Sequence, residues 1–224
     1  MMHSIRWTLP KIERYVKVID HLVYRRCALI PPFRYRMLTD QVEHLPIGKQ
    51  VDDSGWEIIK PLARWGRSST DFVLRSSFTI PADWPQDADC ALLLSLGEAG
   101  DFSHPESLIY IDGIPFAACD RHHQEVRLRA EWQDGASHSL ALHLWTGIGD
   151  SNVLDGLTQT GALAYDYLLM QPTKIVQIDQ PTRDFIASVR VTLGAIGALD
   201  ENELREANAR GHAAAFGRRT AVSV

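Results

Sequence analysis

The sequence predicts a mainly β fold: an antiparallel, jelly-roll-like β-sandwich with an N-terminal helix and two C-terminal helices. Three observations carry this expectation. Short apolar runs of period two recur between residues 71 and 145, with Gly, Asp and Pro between them, as in sheets built from hairpins. Asp112-Gly113 falls between two such runs, 108–111 and 114–118. Asp-Gly suits a type I′ turn, which needs positive φ at both central residues. At the two ends of the chain the apolar period changes to three and four, the spacing of helices.

Taken in order, Thr8 is placed to cap a helix whose first turn tolerates Pro10. Ile12, Tyr15, Val16, Ile19, Leu22 and Val23 make one apolar stripe, and Arg25 and Arg26 suit a helix C-terminus. These residues predict a helix over 9–26, stopped by Pro31-Pro32. Residues 31–66 read as irregular chain laid over a body built elsewhere. From Asp71 the period becomes two, with Phe72, Leu74, Phe78 and Ile80 on one face. Further strands are expected near 91–96, 107–112, 114–118, 124–129 and 138–145, where Leu140, Leu142 and Leu144 alternate with Ala141 and His143. A last strand is expected over 174–178. Thr182 then opens a helix with Phe185, Val189, Leu193 and Ile196 on one face, and Asp200 with Glu203 forms a capping box for a second, to about Phe216. The expected organisation is an N-terminal helical region (1–30), an irregular linker (31–66), a sandwich (67–179), a helical segment (180–217) and a tail (218–224).

Composition narrows the functional classes. The chain has 224 residues, 45% hydrophobic and 23% charged, ordinary values for a globular protein. A net charge of −5, with no basic cluster, gives no electrostatic reason to bind nucleic acid. No apolar run approaches the roughly 20 residues that span a bilayer. The N-terminus lacks the apolar core of a signal peptide, so a cytoplasmic location is expected. Cys27, Cys90 and Cys119 are widely spaced and form no CxxC pair, which predicts reduced, mostly buried thiols.

The densest cluster of reactive side chains is Asp120, Arg121, His122, His123 and Glu125, just beyond the Asp-Gly hairpin. His and carboxylate are zinc ligands. In an extended strand, however, Asp120 and His122 face one side while His123 and Glu125 face the other. A structural polar network is therefore favoured over a metal site, and ligand contact is the remaining reading. Glu98, Asp101, Glu106, Asp112 and Asp120 crowd the same region and would serve glycoside hydrolysis only if two stood across a cleft. Six tryptophans offer stacking platforms for sugar rings, although core packing is the commoner role. The motifs GxSxG, GxGxxG, HExxH and the phosphate-binding P-loop are absent.

Four blocks, LSLGEAG, SLIYIDGIPFAACDRHHQEVRL, LHLWTGIG and VQIDQPTRDFIASVRVTLG, together with FRYRMLTD and PIGK, resemble the N-terminal region of family 38 glycoside hydrolases, the zinc-dependent α-mannosidases of the cytosolic or vacuolar type. The resemblance spans about residues 8–216. It implies a sandwich with flanking helices, lying ahead of a catalytic barrel that would bind zinc or another divalent metal. Gly211-His212 resembles the start of that family's zinc motif. Ala214 and Phe216 replace its second His and its Asp, so no zinc ligand and no nucleophile carries over. The resemblance thus implies a non-catalytic accessory region, expected to be a fragment, inactive alone and without a cofactor of its own. Its implied partners are the parent's barrel and mannose-containing glycans. The alternatives are a free-standing carbohydrate-binding sandwich, and a structural module that forms homo-oligomers through an apolar patch on its helices.

Overall fold

The computed structural model of the chain describes residues 5–39, 45–67, 70–97, 105–147, 168–198 and 205–206. In order they form helix α1 (Ile5–Ile19), prolonged by a turn of 3-10 helix (Asp20–Val23), then strands β1 (Tyr24–Leu29), β2 (Phe33–Met37), β3 (Glu57–Ile59), β4 (Arg64–Trp65), β5 (Asp71–Phe78) and β6 (Cys90–Leu93). Strands β7 (Glu106–Ile111), β8 (Ile114–Cys119), β9 (Glu125–Arg127), β10 (His138–Trp145), β11 (Leu168–Leu169) and β12 (Lys174–Ile178) follow, and helix α2 (Gln180–Gly197) comes last. These elements fall into two units, Met1–Val23 with Asp179–Val224, and Tyr24–Ile178.

The second unit is the sandwich. One sheet runs β3-β2-β5-β10-β7-β8 and the other β1-β12-β6-β9, with β4 and β11 as a separate pair. All the strand pairings are antiparallel. Strand alternation explains the core. Leu140, Leu142 and Leu144 project from one face of β10, and Phe72 and Leu74 of β5 and Ile109 and Ile111 of β7 join them. From the smaller sheet Leu92, Val126 and Ile175 complete the cluster. Leu142 has no exposed surface, and burial of such a side chain contributes roughly 1.5–3 kcal/mol. The Trp65 indole enters the same core and donates its N–H to the Leu96 carbonyl at 2.9 Å, so its polar edge is satisfied.

Two glycines are fixed by geometry. Asp112 (φ 52°) and Gly113 (φ 82°) both adopt positive φ, as the expected hairpin turn between β7 and β8 requires. At Gly97 (φ 102°) a Cβ would stand 2.9 Å from the backbone N and O of Leu169. Only glycine allows that approach.

Several expectations are corrected. The helix expected over 9–26 begins at Ile5, holds Pro10 in its interior, and yields to strand at Tyr24. Tyr24–Leu29 pairs with β12, and that ladder overrides the local helical stripe. Residues 31–66 carry three strands rather than irregular chain. In β2, Phe33 and Tyr35 pack on the core while Arg34 and Arg36 alternate with them. Helix α2 is capped from Asp179, not Thr182, whose hydroxyl instead donates to the Asp179 carboxylate. Its buried residue is Ile186, with Phe185 58% exposed.

In the helical unit Arg190 of α2 reaches Asp20 at 2.9 Å, and the Asp179 N–H donates to the Val23 carbonyl at 2.7 Å. Tyr15, Val18 and Leu22 are exposed on one side of α1 and its 3-10 extension. No helix among the described residues is long and apolar enough to cross a membrane. Of the second C-terminal helix only Arg205 and Glu206 are described, both helical. The rest of it, the tail at 218–224 and Gly211-His212 lie outside the described residues.

Candidate functional site

Asp120, Arg121, His122 and His123 form a bend rather than a strand, and Glu125 opens the next strand. Strand β8 stops at Cys119 and β9 starts at Glu125. Between them Asp120 Oδ1 accepts the backbone N–H groups of His122 (2.7 Å) and His123 (2.8 Å), and the same oxygen lies 3.0 Å from His123 Nδ1. A short carboxylate side chain has captured the local N–H groups and bent the chain. Asp120 and His123 are therefore brought together, whereas strand alternation placed them on opposite faces. The His123 side-chain bond and these two N–H groups hold the Asp120 carboxyl at about 2, against the opposing effect of burial. Arg121 Nε is 3.0 Å from His122 Nε2, and Glu125 accepts the Tyr24 hydroxyl at 2.8 Å. The space between Asp120, Arg121 and Gln124 is only about 10 Å³, too small for a sugar ring. Among the described residues no group of three or more His, Cys, Asp or Glu side chains is placed to hold a metal ion.

A second polar cluster locks the Asp-Gly hairpin. Asp112 Oδ2 is 2.9 Å from His138 Nδ1, while Oδ1 accepts the Ser139 N–H at 2.9 Å and lies 3.4 Å from Lys49 Nζ. His138 Nε2 is 3.0 Å from Asp134 Oδ1, so a carboxylate faces each ring nitrogen, and the ring packs on Phe78. Burial pushes the Asp112 carboxyl up, but His138, the Ser139 N–H and Lys49 outweigh it and hold the group at about 2. The Ala136 N–H and His138 likewise lower Asp134. The side chains of this cluster satisfy one another.

An open cleft of about 770 Å³ has a different character. Tyr35, Arg36 and Met37 of β2 line it, together with Asp52, Ser54, Gly55, Trp56 and Glu57 of the segment leading into β3. Gly66, Arg67 and Phe72 complete the lining. Sheet pairing assembles it: Tyr35 stands opposite Glu57 on β3, and Met37 opposite Phe72 on β5. The Tyr35 hydroxyl donates to Glu57 Oε2 at 2.6 Å, and its ring leans on Phe72 and Trp65. Asp52 accepts the Ser54 N–H at 3.0 Å, and its bonds from Ser54 hold its carboxyl below the usual range. The cleft thus sets three aromatic rings, Tyr35, Trp56 and Phe72, beside two carboxylates and two guanidinium groups.

Burial sorts the six tryptophans. Trp65 and Trp84 are core residues. Trp132 stands edge-on to Phe116 at 4.6 Å, and Trp145 ends β10. The side chain of Trp7 lies outside the described residues. Trp56 alone of the described tryptophans lines the cleft. Sequence reasoning named the tryptophans as a class, but it carried no signal that β2, the 52–57 segment and Phe72 converge. Of the clustered carboxylates, Glu98 and Asp101 lie outside the described residues.

No protein-family model matches the sequence, and no curated protein matches it. Solved structures with a similar fold include a Faecalibacterium prausnitzii β-glucuronidase, at 10% identity and TM-score 0.46, over 69% of this chain and 32% of that one. A Bacteroides uniformis β-glucuronidase matches at 15% identity and TM-score 0.42, over 67% of this chain and 18% of that one. A glycosyl hydrolase family 2 member from Bacteroides cellulosilyticus matches at 12% identity and TM-score 0.39, over 68% of this chain and 20% of that one. The aligned part spans a third or less of each of these chains. The family 38 expectation is corrected: these are β-glucuronidases and family 2 enzymes, not α-mannosidases. The longest of the matched blocks, residues 107–128, is a pair of apolar strands joined by an Asp-Gly turn and followed by a polar bend, chemistry that an antiparallel hairpin calls for in itself.

Proposed function

We propose that this chain is a non-catalytic carbohydrate-binding sandwich whose saccharide lies in the cleft between β2 and the 52–57 segment. One observation carries the reading: Trp56 and Tyr35 stand beside Asp52 and Glu57 in a cleft of about 770 Å³. A pyranose offers an apolar C–H face to an aromatic ring and a rim of hydroxyls to charged acceptors and donors. The volume falls within the roughly 300–1,000 Å³ of small-molecule sites. Hydrolysis would require one carboxyl kept protonated as the acid. Here Asp52 is held in its charged form by its bonds from Ser54.

The experiment is a titration followed by tryptophan fluorescence and calorimetry, with mannobiose, cellobiose and a uronate-containing disaccharide as probes. Wild type is expected to bind at least one of them. Trp56→Ala should weaken that binding about tenfold, the ~1.4 kcal/mol typical of a lost aromatic contact, with unchanged thermal stability. Silence of wild type towards all three at millimolar concentration, or equal binding by the variant, would overturn the reading.

A further inference from the structure

The cleft wall that carries Asp52, Ser54 and Trp56 belongs to a segment with little secondary structure, so something outside the cleft must hold it. Arg34 of β2 and Arg75 of β5 are register partners, two guanidinium groups side by side on adjacent strands. Like charges so placed repel, and Arg75 is only 4% exposed, where an unpaired charge is expensive. Asp53 lies between them. Its Oδ2 is 3.0 Å from Arg75 Nε and its Oδ1 is 3.6 Å from Arg34 Nε.

The same two arginines also bind the segment's backbone. Arg75 Nη1 donates to the Pro46 carbonyl at 3.1 Å, and Arg34 Nη1 donates to the carbonyls of Ser54 (3.2 Å) and Asp53 (3.4 Å). Segment 46–56 is thereby fastened near both its ends. The Asp53 carbonyl then accepts the Trp56 N–H at 3.0 Å, which passes the anchor directly to the cleft tryptophan. Asp53 itself is not among the residues that line the cleft.

We propose that Asp53 is the positioning residue of the cleft. By bridging the Arg34–Arg75 pair and offsetting its repulsion, it fixes the 52–57 wall before any ligand arrives, so that saccharide binding does not bear the cost of ordering that wall. The inference rests on the carbohydrate reading for its ligand, but its mechanical part does not. Partial burial of Pro46, Ile47 and Val51 is the competing explanation for an ordered segment, and it predicts no special role for the Asp53 charge.

The test compares wild type, Asp53→Asn, Asp53→Glu and Arg34→Gln by amide hydrogen exchange without ligand, thermal unfolding, and titration with the same three disaccharides. Asp53→Asn should speed exchange at the 54–57 amides about tenfold relative to β10, and weaken disaccharide binding by a similar factor. Asp53→Glu should restore both. Arg34→Gln, at the less buried arm of the clamp, should show the same pattern more weakly, and it stands in if Asp53→Asn does not fold. Unchanged exchange at 54–57, or an equal rise across β10, would overturn the proposal. If wild type binds none of the disaccharides, the carbohydrate reading falls, while exchange at 54–57 still decides the clamp.

Discussion

Replacing Asp112 with Asn should cost about 2 kcal/mol at neutral pH, and that cost should vanish in acid. The folded carboxyl is held at about 2, against an ordinary value of 3.8. The difference approaches two pH units, and each unit corresponds to 1.36 kcal/mol, so the linkage is ~2 kcal/mol. The side chain is 21% exposed, and solvent screening therefore removes little of it. A depressed carboxylate stabilises the fold above its unfolded value and loses that contribution as pH falls through 3.8 towards 2. Asn tolerates the positive φ at this turn and still accepts the Ser139 N–H, but it offers no charge to His138 or Lys49. Urea unfolding of both proteins, repeated from about pH 7 down to about pH 2, isolates the residue. Asp52 and Asp120, whose lowering does not involve His138, titrate alike in both proteins, while Asp134 shares His138 with Asp112 and belongs to the same readout. A gap that does not narrow in acid would show that the turn is held by its backbone and not by the charge on Asp112.

Two further outcomes follow from single positions. Gly97→Ala should lose more than about 2 kcal/mol in urea unfolding, because its Cβ would press on the Leu169 backbone in a conformation that L residues avoid; a variant as stable as wild type would contradict the Gly97–Leu169 approach. Titration with an aromatic disulfide reagent should show one fast thiol, Cys27, and two slow ones. Burial pushes both Cys90 and Cys119 up to about 11, and they are 2% and 3% exposed. Prompt reaction of more than one equivalent, or a fast phase surviving in Cys27→Ser, would refute this.

What the sequence disclosed was local chemistry. The leucines at 140, 142 and 144 announce β10 because side-chain alternation needs no distant partner, and residues 174–178 form the strand expected there. Asp112-Gly113 announces its turn because few other pairs accept positive φ twice in succession. What stayed hidden depended on partners far along the chain. Tyr24, Arg25 and Arg26 read as the last turn of the predicted helix, and they open a strand because Tyr24 meets Ile178. Strand β2 is five residues long and follows two prolines, so its alternation is too brief to stand out. The cleft has no motif, since Tyr35, Trp56 and Phe72 become neighbours only through sheet pairing. At Asp120 the error was chemical: the carboxylate took N–H groups that an extended chain would have left pointing away.

The pairing of β1 with β12 gives the sandwich a particular mechanics. The chain enters at Tyr24 and leaves at Ile178, and these two residues are the first register pair of one antiparallel ladder. Tension transmitted through the flanking residues therefore acts at one end of that ladder. It opens the hydrogen bonds one after another, like a zip, where strands pulled from opposite ends would have to break them together. The sandwich is also a closed excursion whose two ends lie side by side. A segment with that property can be inserted into a loop of another chain while its entry and exit points stay a strand's width apart.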